Sequence, residues 1–126
     1  MLTSIVAIGA GATLGALLRW TLALRLNAMV PSLPLGTLAA NLLGGYLVGV
    51  AVGLLALRPG WPPEVRLFLV TGLLGGLTTF STFSAEVVSQ LQDGRFLWAL
   101  ATAGAHLMGS LLLTALGIAT VRVLQA

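Results

Sequence analysis

Charge is so scarce in this sequence that its few positions set the architecture. Only nine residues carry a formal charge: Arg19, Arg25, Arg58, Glu64, Arg66, Glu86, Asp93, Arg95 and Arg122. Between them lie charge-free runs at 2–18, 26–57, 67–85 and 96–121, of 17, 32, 19 and 26 residues. A bilayer core takes about 20 apolar residues as helix. The chain therefore reads as an all-α integral membrane protein, one four-helix domain over 1–126 with spans near 2–24, 33–57, 65–90 and 96–122. An ordinary soluble domain is about a quarter charged, whereas here the share is 7%, with 58% hydrophobic residues and a mean hydropathy of +1.06. That balance excludes a soluble enzyme, a disordered tail and a nucleic-acid-binding domain. The pI of 11.3 points to no nucleic acid, because six scattered arginines form no patch. Without cysteine there is no disulfide framework and no thiolate site. One histidine and three acids are too few for most side-chain metal sites.

Turn chemistry separates the spans. Pro31-Ser32-Leu33-Pro34 divides the first two, 58–64 with its three prolines the next, and Gln92-Asp93-Gly94-Arg95 the last. Trp20, Trp61 and Trp98 fall at span ends, as interfacial aromatics do. The start of the chain lacks a basic signal-peptide region and reads as retained. With four spans both termini share one side, and that side holds Arg58, Arg66 and Arg122. The other holds Arg19, Arg25 and Arg95. Orientation follows an excess of basic residues on one side, and here there is none. The count suggests a chain that inserts both ways and pairs with its inverted twin; an even count by chance is the bland alternative.

Residues four apart share a helix face, and small residues so spaced let helices approach in lipid. Gly45, Gly49 and Gly53 form such a line, extended backwards to Asn41 and Thr37. Gly11 and Gly15 lead the same way to Arg19. These stripes are packing faces first, but each ends in a polar group. Arg19 lies near a span end, where it would snorkel at low cost. A second polar line, Thr102, His106, Ser110 and Thr114, runs along the fourth span, although such hydroxyls often only bond their own backbone.

The third span carries the chemistry. Gly75-Gly76-Leu77-Thr78-Thr79 is a poor continuous helix, so the span is expected to break there. Backbone groups freed at mid-membrane are tolerated only in protein, or facing water or an ion. Four such carbonyls, two from each of two subunits, would suit a small hard cation; a simple kink is the plainer alternative. Beyond the break Phe80 and Phe83 share a face, Ser81 and Ser84 adjoin it, and Thr82 and Glu86 form a third line. A phenyl ring has a positive edge, so two such edges beside hydroxyls would solvate a small anion weakly enough for it to leave again.

Four segments, Gly-Ala-Leu-Leu-Arg-Trp at 15–20, Pro-Leu-Gly-Thr-Leu-Ala-Ala-Asn-Leu-Leu-Gly at 34–44, Gly-Gly-Leu-Thr-Thr-Phe-Ser-Thr-Phe-Ser-Ala-Glu at 75–86 and Gly-Ser-Leu-Leu-Leu-Thr at 109–114, carry a resemblance over almost the full chain. The sequence resembles the Fluc (CrcB) fluoride channel family. The resemblance implies an antiparallel dual-topology homodimer in a bacterial cytoplasmic membrane, with two fluoride pores and a structural Na⁺ at its centre. It places that Na⁺ on the backbone carbonyls of Gly75 and Thr78. It makes Phe80 and Phe83 fluoride-lining rings and Asn41 the residue that orients them. It gives Ser81, Thr82, Ser84 and Glu86 a polar track, Ser110 and Thr114 pore-side hydroxyls, and Arg19 a place in the vestibule. Thr37 and His106 complete the candidate pore. The implied activity is passive and needs no catalytic group. A small dual-topology multidrug-type exporter would need an acid in the first span, which has none. A non-transporting membrane subunit would not need a broken, polar-lined third span.

Overall fold

The computed structural model describes residues 1–30 and 32–125; Pro31, the first residue of the expected first turn, lies outside them, as does Ala126. Its regular elements are all helical, and four helical stretches are long and apolar enough to cross a membrane. Helix α1 spans Leu2–Leu26 and α2 spans Leu35–Leu57. The third stretch begins with one turn, α3 (Pro63–Arg66), whose proline sits where its missing N–H is not needed. It passes into a π-helical segment, Leu67–Leu74, then a last turn, α4 (Gly75–Leu77). After the break come α5 (Phe80–Gln92) and α6 (Phe96–Leu124). The α1 helix, at 25 residues and about 1.5 Å per residue, reaches across a hydrocarbon core of about 30 Å.

The ends of these helices follow from local sequence. Pro34 stands at the N-cap of α2, which therefore starts two residues later than the expected 33. Gly94 has φ 72°, the left-handed value that closes a helix. Its N–H bonds the Leu91 carbonyl and that of Arg95 bonds Gln90, so α5 turns directly into α6. Two side chains tie down the α1–α2 connection. Asn27 Oδ1 accepts from the Gly36 N–H at 2.8 Å, and Gln90 Nε2 donates to the Ser32 carbonyl at 2.9 Å.

Apolar side chains cover the outside, and many polar ones face inward. Leu97, Leu100, Leu112 and Leu124 are among the most exposed residues, while Thr37, Thr79, Gln90, Thr102 and His106 are buried. This inversion suits a chain whose solvent is hydrocarbon. The buried apolar cluster is small: Ala40, Ala51, Leu74 and Leu77. Close backbone contact does the rest. A Cβ on Gly49 would fall on the Thr114 carbonyl, and one on Gly117 on the Tyr46 carbonyl, so α2 and α6 meet almost backbone to backbone. On the other side, α1 lies against the π-helical segment and α4 through Gly11, Gly15 and Gly76.

The break falls at Thr78 and Thr79, whose backbones are extended, at the far end of the expected stretch Gly75-Gly76-Leu77-Thr78-Thr79. Those glycines stay helical. A Cβ on Gly76 would meet the Ala12 carbonyl, so its smallness serves packing against α1. The interruption arises instead where Thr79 starts a new helix: its side chain accepts from the Thr82 N–H at 3.2 Å, a threonine N-cap.

Candidate functional site

The extended pair Thr78-Thr79 interrupts the helical hydrogen-bond ladder, and its loose backbone groups organise everything nearby. Asn41, from α2, takes both polar groups of Thr79. Its Oδ1 accepts the Thr79 N–H at 2.7 Å, and its Nδ2 donates to the Thr79 carbonyl at 3.0 Å. The side-chain amide thus replaces a missing backbone partner. Arg19, from α1, donates Nε–H to the Gly76 carbonyl at 3.0 Å. It points at the break rather than snorkelling outward, because Gly15, one turn earlier, brings α1 against Leu73 and Leu77. Among the described residues, no N–H or hydroxyl donates to the carbonyls of Gly75 or Thr78 across the break.

A groove of about 410 Å³ opens beside the break. Gly75 and Thr78 form part of its wall, with Asn41, His106, Ser110 and Thr114 opposite and the rings of Phe80 and Phe83 alongside. The rings meet edge to face at 5.4 Å and 70°. Phe83 in turn stacks on His106 at 4.7 Å and 26°. His106 Nδ1 lies 2.9 Å from Asn41 Nδ2. Since that nitrogen can only donate, Nδ1 is the acceptor and the ring proton sits on Nε2. A continuous set of contacts therefore runs from Phe80 through Phe83, His106 and Asn41 to Thr79. Asn41 touches the aromatic pair through His106. Phe80 itself is 78% exposed in the single chain.

A second polar cluster lies along α5. Thr37 donates its hydroxyl to Glu86 Oε1 at 2.6 Å, and the Thr79 hydroxyl contacts those of Ser81 and Thr82 at 3.3 and 3.0 Å. Thr79 joins this cluster to the groove. Glu86 Oε2, Gln90 Oε1, Thr102 Oγ1 and His106 Nε2 are buried without a partner among the described residues. Such groups retain hydrogen-bonding capacity for water or an ion.

The structure does not gather every candidate equally. Ser84 donates to its own helix at the Phe80 carbonyl, 2.8 Å away, on an exposed face. Thr114 donates to the Gly45 carbonyl at 3.0 Å, so its hydrogen is already used. Thr79 is central, yet it stood outside the candidate set. Its signal was present, as a threonine three residues ahead of Thr82 at the start of a new helix. Thr102, fully buried, was visible only as one member of the α6 polar line.

A profile for the family described as "CrcB-like protein, Camphor Resistance (CrcB)" matches residues 6–118. A Burkholderia cenocepacia protein named "Fluoride-specific ion channel FluC" is 63% identical over 122 residues, covering 97% of this chain and 95% of its own length. A Pseudomonas putida protein of the same name is 58% identical over 120 residues, covering 95% of this chain and 94% of its own. A match of this extent leaves one conclusion: the chain belongs to the CrcB family.

Proposed function

We propose that this protein is a passive fluoride-selective channel of a bacterial cytoplasmic membrane, working as an antiparallel homodimer with two pores. The observation that carries the reading is the set of contacts beside the break, where two phenylalanine rings, a histidine and an asparagine converge on one groove at mid-span. The names of its relatives supply the ion.

Fluoride holds water tightly, so its dehydration is the main barrier. Asn41 uses both of its N–H groups on Thr79 and His106. The donor ready for an anion in the groove is therefore the Ser110 hydroxyl, beside the positive edges of Phe80 and Phe83, with the unpartnered His106 Nε2–H buried behind the groove wall. Along α5, Ser81 and Thr82 continue the hydroxyl lining, with Glu86 held by the Thr37 hydroxyl of α2. A larger anion is refused by width and by the fixed direction of these donors. Uncharged HF enters from acidic surroundings and ionises in neutral cytoplasm, so the trapped anion must leave as such. A negative-inside potential drives it out with about 2.3 kcal/mol per charge per 100 mV, and no coupled energy source is required.

The free carbonyls of Gly75 and Thr78 fit a small hard cation, because uncharged oxygens suit such ions. Two from each of two inverted copies would hold the Na⁺ that the family resemblance implies. That ion would supply a fixed positive charge at the dimer centre. The even split of the six arginines and the exposed Phe80 ring both support a second, inverted copy closing the groove.

Fluoride efflux from proteoliposomes, read with a fluoride electrode, tests the channel. Efflux well above that of empty liposomes is expected, with chloride retained; equal rates would refute the reading. Orientation is tested separately. The chain has no cysteine, and nothing lies within 4 Å of a Cβ at Gly60, so Gly60→Cys introduces a single clean label. An impermeant maleimide should modify about half of it from each side of the membrane, since paired inverted copies place this loop on both. Labelling from one side alone would exclude dual topology.

A further inference from the structure

The break poses a question of hydrogen-bond accounting. In a continuous helix the Gly76 carbonyl would accept from the Phe80 N–H. The extended Thr78-Thr79 pair removes that partner, and a buried carbonyl without one is unfavourable. Arg19 fills the place from 57 positions away in the sequence. The α1 backbone is brought there by packing. Added Cβ atoms on Gly11 and Gly15 would strike the Phe68 and Leu73 carbonyls, and Gly76 lies against Ala12. Arg19, one turn beyond Gly15, then lands on Gly76. It has no carboxylate partner, because the one salt bridge among the described residues is Arg95–Asp93.

We propose that Arg19 is a positioning residue for the break: its Nε–H holds the Gly76 carbonyl toward α1, and the flanking carbonyls of Gly75 and Thr78 are thereby kept free on the groove side. Its guanidinium acts through this directed bond rather than as a source of positive field at the mouth. Asn41 does the corresponding work one step further along, on Thr79. The two clamps, from α1 and α2, fix the backbone on either side of Leu77-Thr78 and so fix where the Phe80 ring is launched. The inference rests on the channel reading for its functional consequence and on the geometry alone for its structural one.

Two measurements separate the bond from the field. Arg19→Lys keeps the charge but loses the planar fork and its Nε–H. Fluoride efflux should fall at least about 30-fold, and the fluoride-over-chloride preference should fall with it. The loss should be the same at 10 mM and at 1 M salt, although the screening length shrinks from about 30 Å to about 3 Å over that range. Lysine within threefold of wild type, or a loss that salt abolishes, would overturn the proposal in favour of a field effect. The second measurement needs no variant. In wild-type protein with ¹⁵N-arginine, one of the six Nε–H signals should exchange with water at least tenfold more slowly than the rest. Six fast-exchanging signals would also overturn it. If wild-type protein passes no fluoride at all, the exchange measurement still decides the hydrogen bond, while the channel reading fails by itself.

Discussion

Replacing Asn41 by aspartate should lower fluoride efflux about 1,000-fold while the protein still purifies as the wild-type oligomer. The substitution is nearly isosteric. Oδ1 still accepts the Thr79 N–H, but the second oxygen no longer donates to the Thr79 carbonyl or to His106 Nδ1. Two acceptors would then face one acceptor, and the His106 ring would lose the contact that fixes its proton on Nε2. A carboxylate here also confronts the permeating anion. At about 4 Å and an effective dielectric of 20, that repulsion is about 4 kcal/mol, and each 1.36 kcal/mol is tenfold in rate. Glu86 does not carry the same penalty, because one of its oxygens accepts the Thr37 hydroxyl at 2.6 Å and it sits further along α5. Efflux within tenfold of wild type would show that the Asn41 amide is not part of the pathway.

Phe80→Ile should reduce efflux at least about 100-fold and leave the fold intact. The ring is 78% exposed in the single chain, so removing it opens no core cavity. What is lost is the positive ring edge and the edge-to-face contact with Phe83. An ion stripped of water beside an aliphatic group has nothing in place of its hydration. An uncompensated polar transfer costs on the order of 2–7 kcal/mol, and about 3 kcal/mol already gives 100-fold. Wild-type efflux from this variant, measured in the same liposome assay, would show that the ring edges do not contribute.

The four long helices could be read from the sequence because charged and turn-forming residues mark the connections between them. Arg58, Glu64, Asp93 and Arg95 cannot lie deep in hydrocarbon without a partner, so the turns had to fall around them. The interruption of the third helix was also foreseeable, since Gly75-Gly76-Leu77-Thr78-Thr79 combines poor helix formers. Its exact register was not. Propensity points to the glycines, whereas Gly76 is held helical against Ala12 on α1, a contact that no local pattern encodes. The π-helical course of Leu67–Leu74 is likewise invisible in a uniformly apolar run. His106 shows the limit most clearly. As one member of a polar line it looked optional. Only the antiparallel register of α5 and α6, set by the turn at Gly94, brings its ring onto Phe83, and only the close packing of α2 on α6 brings its Nδ1 to Asn41.

Interrupting one helix creates two ends, and the ends have opposite electrical character. The turn that stops at Leu77 presents carbonyl oxygens, the negative pole of a peptide macrodipole, while α5 opens at Phe80 with N–H groups, the positive pole. Two extended residues hold these poles about 7 Å apart. A cation attracted to one and an anion attracted to the other would each lower the energy of its neighbour. By thermodynamic linkage the effect is mutual: whatever factor one occupant contributes to the affinity of the second, the second returns to the first. In a chain with almost no charged side chains, the Na⁺ and fluoride proposed above would in this way be coupled through the backbone of one interrupted helix.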